Sequence, residues 1–155
     1  MITLDPAAES QALSKPALSR FATNARRAIG LPGEVDILLS TDAELKRLNR
    51  TFRGKNKPTD VLSFPTPPEI ADEHAGDLAI SVETAARQAE SFGHTLAEEI
   101  RILILHGLLH LNGMDHETDQ GQMAAREAEL RTRLRLPATL IERAQKRAPK
   151  PRRRA

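Results

Sequence analysis

The sequence predicts a single α+β domain, a small mixed β-sheet flanked by about five helices, with one helix buried at its centre. Three observations predict it. The chain has 155 residues, the size of one domain with a core of its own. Short runs rich in Val, Ile and Leu alternate with longer stretches whose apolar residues recur every three or four positions. One stretch, around residues 100–111, is apolar on nearly every side, the pattern of a helix covered all round.

The elements follow in order. Residues 1–4 read as a short edge strand. Lys15–Ile29 puts Leu18, Phe21, Ala22, Ala25 and Ile29 at helical spacing and stops at Gly30. Glu34–Ser40 reads as a strand through Val-Asp-Ile-Leu-Leu. Thr41-Asp-Ala-Glu44 has the form of a capping box and opens a helix through Leu45 and Leu48 to about Phe52. Residues 53–59 are polar, with a glycine and a proline, and form a loop. A short strand at 61–64 is stopped by the proline-rich 65–68, residues 69–75 continue that loop, and 77–82 is another strand. A helix then runs to Phe92 and ends at Gly93. Thr95-Leu-Ala-Glu98, a second capping-box pattern, starts the buried helix that carries His106 and His110. After a loop at 113–119, an amphipathic helix with Met123, Ala124, Leu130 and Leu134 runs to about Leu136, where Pro137 breaks it. A last short helix passes through Leu140 and Ile141. Strand order is not legible at this level.

Composition narrows the chemistry. There is no cysteine, which excludes a disulfide framework, Cys-ligated zinc and thiol catalysis. Trp and Tyr are absent and Phe occurs four times, so the core is aliphatic. The N-terminus lacks the basic and apolar regions of a signal peptide, and the longest apolar run, 102–111, is broken by two histidines and a glycine. A soluble, cytoplasmic protein with no membrane partner is expected. Net charge is +2, unevenly spread: residues 137–155 carry +6 and residues 1–136 carry −4. That contrast divides the chain into a functional domain, 1–136, and a basic C-terminal tail, 137–155, expected to be largely disordered.

Chemistry concentrates in His106-Gly-Leu-Leu-His110-Leu-Asn-Gly113-Met-Asp-His116. Histidines four apart share one helix face, and Gly113 can take the positive φ that stops the helix and returns the chain. Three imidazoles then converge with a fourth position open, as in a catalytic zinc site of three protein ligands and one water. The spacing matches that of metzincin proteases, except that their general-base glutamate is replaced by Gly107. A mid-helix glycine costs about 1 kcal/mol against alanine, so something must approach the helix closely there. Asp115 or Asp119 could add a fourth ligand and make the zinc structural. Asp115 is equally readable as an acceptor that orients an imidazole or as a turn residue. His74 and His94 fall in predicted loops and read as surface residues.

A second segment is Phe52-Arg53-Gly-Lys55-Asn-Lys57-Pro-Thr-Asp-Val-Leu-Ser-Phe-Pro65, a basic loop entering a strand. Arginine binds phosphate bidentately and lysine acts as a point charge, so the loop suits a phosphodiester. This segment, with Gly76-Asp-Leu-Ala-Ile-Ser81 and the histidine run, resembles the YbeY family of bacterial single-strand-specific endoribonucleases, also called rRNA maturation factors. The resemblance spans about residues 34–135. It implies one zinc per chain on His106, His110 and His116, and Arg53 as the arginine needed for activity. It also implies a single-stranded RNA substrate, roles in maturing the 3′ end of small-subunit rRNA and in ribosome quality control, and the small ribosomal subunit or its proteins as partners. Asn56 departs from the aspartate of many relatives, and the arginine-rich tail has no counterpart in the motif.

On this reading Arg53 neutralises charge on the phosphate while Lys55 and Lys57 hold flanking phosphates. Low aromatic content argues against base stacking and for salt-sensitive backbone binding. The nucleophile is either the RNA 2′-hydroxyl or a metal-bound water. Two rivals stand beside it. One is a metallopeptidase that recruits Glu83 or Glu99 as its base; the other is a non-catalytic ribosome-assembly factor with a structural zinc.

Overall fold

The structure, a computed structural model, describes residues 1–147. Four strands form one mixed sheet: β1 (Ile2–Leu4), β2 (Glu34–Ser40), β3 (Val61–Pro65) and β4 (His74–Ser81), in the order β1-β2-β4-β3. β1 and β4 run parallel to β2, and β3 runs antiparallel to β4, with Val61 opposite Ile80 and Ser63 opposite Leu78. Six helices surround the sheet: α1 (Lys15–Ile29), α2 (Asp42–Arg53), α3 (Val82–Phe92), α4 (Leu96–Leu111), α5 (Gln122–Leu134) and α6 (Leu140–Arg147). The predicted α+β class holds, and the sequence elements lie where their patterns put them. β4 starts earlier than expected, at His74, because residues 74–76 still pair with the start of β2.

Strand alternation divides the core in two. Leu78 and Ile80 of β4 join Val35, Ile37 and Leu39 of β2 in the main cluster with α4, whereas Ala79 and Leu62 face α2 through Leu45. α4 fills the centre of the main cluster: Ile100, Ile102, Leu103, Ile104, Leu105, Leu108 and Leu109 are each at most 1% exposed. An aliphatic core without Trp or Tyr can be close-packed because α4 presents branched residues in every direction. Thr95 and Glu98 close the reciprocal capping box expected at its start. At α2 only the hydroxyl half of the predicted box forms: Thr41 accepts from the Glu44 amide, and the Glu44 carboxylate turns instead to Arg47.

The mid-helix glycine has a packing explanation. A Cβ on Gly107 would meet Cδ2 of Leu78 at 2.7 Å, so α4 lies on β4 as closely as the missing side chain allows. The close approach expected from the sequence is a strand beneath the helix.

Ile141, beyond the expected division at residue 136, belongs to the main core cluster. α6 packs on the core: Ile141 is 4% and Arg143 5% exposed, so Arg143 is no part of a solvated arm. Its guanidinium makes two hydrogen bonds to the buried Glu99 carboxylate, at 2.7 and 2.6 Å, and lies 4.3 Å from the Phe92 ring centre. Charge counting misplaced it because a buried bidentate pair looks, in sequence, like any other arginine. Residues 148–155, which carry Lys150 and Arg152 to Arg154, lie outside the described residues. No described helix is long and apolar enough to cross a membrane.

Candidate metal centre

His106 and His110 stack on the last turns of α4, as their spacing requires. Gly113, at φ +90°, then reverses the chain, and its amide bonds back to the carbonyl of His110 at 2.9 Å. That turn sets the Met114 carbonyl 2.9 Å from Nδ1 of His110 and leads on to His116. The His116 ring centre lies 5.1 Å from that of His106 and 5.5 Å from that of His110. One nitrogen from each of the three lies within 4.8 Å of the others.

The protonation of this cluster follows from its partners. A carbonyl can only accept, so Nδ1 of His110 carries the proton that it donates to Met114. Nδ1 of His106 lies 2.6 Å from the Glu127 carboxylate and donates to it in the same way. In neutral rings both Nε2 atoms are then bare acceptors, yet they face each other at 3.1 Å. Two lone pairs at that distance repel unless a cation lies between them. Ligands around tetrahedral zinc are separated by about 3.3 Å, given Zn–N bonds of about 2.0–2.1 Å. Nδ1 of His116 is buried with no hydrogen-bond partner. Burial first, then the neighbouring His106 and His116, push the His110 imidazole below its ordinary value, which favours the neutral, ligating form. The donor set fits a divalent metal.

Each carboxylate considered as a fourth ligand already accepts backbone hydrogen bonds. Asp119 accepts from the amides of Gly121 and Met123 and so starts α5; those bonds hold its carboxyl below the usual range. Asp115 accepts from the Glu117 amide, and its carbonyl takes the amide of Asp119, which makes it a turn residue. The two glutamates proposed as peptidase bases are also committed: Glu99 to Arg143, and Glu83 to the Asp42 amide at the start of α2. Neither lines the cavity beside the histidines.

That cavity holds about 680 Å³. Its walls include the three histidines, Ser63 and Val61 of β3, Asp60, Gln88, Ile141 and two arginines, Arg53 and Arg143. Arg143 is neutralised by Glu99. Arg53, the last residue of α2, is exposed and makes no described hydrogen bond or ion pair. The structure therefore brings Arg53 and the histidines to one cavity. Lys55 and Lys57 are exposed on the adjoining loop and are not among its lining residues. Asn49, only 2% exposed, ties that loop down: its side-chain amide donates to the Lys57 carbonyl, and its backbone carbonyl accepts from the Lys55 amide.

A family model described as endoribonuclease YbeY matches residues 4–135. The chain belongs to the YbeY endoribonuclease family. The YbeY endoribonuclease of Koribacter versatilis is 54% identical over 138 residues, which is 89% of each chain. That of Solibacter usitatus is 50% identical over 133 residues, 86% of this chain and 88% of the relative. The solution structure of TM1509 from Thermotoga maritima superposes with a TM-score of 0.59 at 26% identity, over 99% of this chain and 100% of that one.

Sequence reasoning missed the residue that braces the site of this YbeY-family protein. Glu127 is 1% exposed on α5; one oxygen meets Nδ1 of His106 and the other accepts from the amide of Ile141 in the first turn of α6. The signal was a charge in an apolar stripe, since Met123, Glu127, Leu130 and Leu134 share one helix face. Such a carboxylate fixes the imidazole tautomer and raises its basicity. Glu127→Gln is expected to weaken metal binding about 10–100-fold, measured with added zinc by competition with a chromophoric chelator; unchanged affinity would show that His106 needs no brace. His94 is also corrected: its side chain is 9% exposed, because the turn after Gly93 folds it back beside Phe92.

Proposed function

We propose that this protein is a zinc-dependent endoribonuclease that cleaves single-stranded RNA, acting in the cytoplasm on the 3′ end of small-subunit rRNA and in ribosome quality control. One zinc per chain is held by His106, His110 and His116. The observation that carries this reading is the pair of Nε2 atoms of His106 and His110, 3.1 Å apart, in a cavity that Arg53 also lines. The domain responsible is residues 1–136, with α6 bracing it through Glu127 and Arg143.

When bound, zinc supplies Lewis acidity toward a phosphate oxygen or a water. The chain supplies the rest. Arg53, on the cavity wall, donates N–H bonds to a phosphodiester as it gains negative charge on attack. Lys55 and Lys57 hold phosphates on either side of the scissile one as point charges. Glu127 keeps the His106 ring oriented, and the Met114 carbonyl does the same for His110. A peptidase reading has less support, because Glu83 and Glu99 are both engaged away from the cavity.

The test is cleavage of matched single-stranded and duplex RNA by zinc-loaded and chelator-treated protein, with metal content measured on the same samples. Cleavage of the single strand that needs zinc and spares the duplex is expected. Equal activity after complete removal of metal would overturn the reading.

A further inference from the structure

Three large apolar side chains stand exposed among the described residues: Met1, Phe52 and Ile70. Phe52 is the one whose chain neighbour lines the cavity of the histidines. It is 63% exposed on the last turn of α2, directly before Arg53. Its ring meets that of Phe64 with centres 5.3 Å apart and planes at 69°. Phe64 lies on β3 between Ser63 and Pro65, both of which line the cavity, while its own side chain packs toward α2. β3 is an edge strand, so the two rings lie at the sheet edge on its α2 face, one residue from cavity-lining positions on either chain segment.

The contact with Phe64 accounts for only part of the ring, which stays 63% exposed. In an exposed helical turn phenylalanine has poorer propensity than Lys, Arg or Gln, and most of its apolar surface stays in water. The neighbours are cationic: Arg53, Lys55 and Lys57 follow within five residues, all exposed and without a described charge partner. That charge favours a polyanion over an apolar protein surface. A flat ring bordered by free cations offers one part of a single strand a face and another part its counter-charge.

We propose that Phe52 is a stacking platform for a nucleobase of single-stranded RNA, carried by a nucleotide flanking the phosphate that Arg53 holds. This rests on the nuclease reading and adds the means by which strandedness is sensed. Bases inside a duplex have both faces covered by their neighbours, so only an unpaired base can lie on the ring. Stacking is tolerant of base identity, because every base has a π-face. The sparse aromatic content, which argues against extended stacking, leaves room for one placed ring.

The chain has no Trp and no Tyr, so Phe52→Trp introduces its only strong fluorophore. The probe is a short 2′-O-methyl single strand carrying an end label, with its duplex as control. On binding, the emission of F52W is expected to be quenched, saturating together with the anisotropy of the label. F52A is expected to bind the single strand about 5- to 150-fold more weakly and the duplex unchanged. F52L keeps apolar bulk without a π-face and should resemble F52A. Saturated binding with unaltered emission, or full affinity in F52L, would overturn the platform while leaving the nuclease intact. Full single-strand affinity in F52A together with capture of a protein partner that needs Phe52 would reassign the ring to protein docking. If the wild type binds neither form of RNA, the nuclease reading fails as well.

Discussion

Replacing His110 with alanine is expected to leave the purified protein without zinc and to lower single-stranded RNA cleavage by about 10³-fold or more. The size follows from the several kcal/mol that a bound metal contributes to charge stabilisation, at tenfold in rate per 1.36 kcal/mol. His110 is half-buried, and its Nε2 is 3.1 Å from that of His106. Alanine removes one of three nitrogens and leaves the other two too few for a stable site. The fold should survive, because the residues that hold α4 to the sheet, such as Leu103, Ile104 and Leu108, do not depend on the cluster. Metal analysis, RNA cleavage and thermal unfolding of the same preparation check this. Loss of zinc with a melting temperature within a few degrees of wild type is expected. Collapse of the fold on losing zinc would assign the metal a structural task and remove the argument for hydrolysis.

Local signals in this chain were legible because the residues concerned act through their neighbours in sequence. His106 and His110 are one helical turn apart, and the Gly113 turn that delivers His116 is three residues further on. The Thr95 box and the Gly30 and Gly93 stops are likewise closed within four residues. What escaped reading depends on contacts between distant elements. Glu127 meets His106 across 21 positions, and Arg143 meets Glu99 across 44. In sequence each is a charge on an amphipathic helix, and only the packing of α5 and α6 on α4 turns them inward. Strand order was hidden for a similar reason: β3 precedes β4 in the chain but lies outside it at the sheet edge, with Val61 and Ser63 on the cavity wall. Gly107 was legible as a close approach, but its partner was not, since Leu78 is 29 residues away.

Arg53→Ala is expected to lower the cleavage rate about 10²–10³-fold, the range seen when one preorganised donor to a developing anion is removed, with zinc content unchanged. Two arginines line the cavity, and their electrostatic states are opposite. Arg143 is 5% exposed and its charge is cancelled by two short bonds to Glu99, so it has little field to offer a phosphate. Arg53 is exposed at the end of α2 and has no such counter-ion among the described residues. Its charge is available, but it is also hydrated, so its effect must come mainly when substrate displaces water from the cavity. That places the loss chiefly in the turnover rate rather than in affinity. Removing an exposed side chain with no described hydrogen bond or ion pair should change stability by no more than about 0.5 kcal/mol. Arg53→Lys keeps the charge and loses the planar fork, so it should recover only part of the rate. The check is single-turnover cleavage at saturating enzyme, beside metal content and thermal unfolding, for all three proteins. A lysine variant as fast as wild type would reduce Arg53 to a point charge, and an alanine variant as fast as wild type would leave phosphate stabilisation to the metal centre alone.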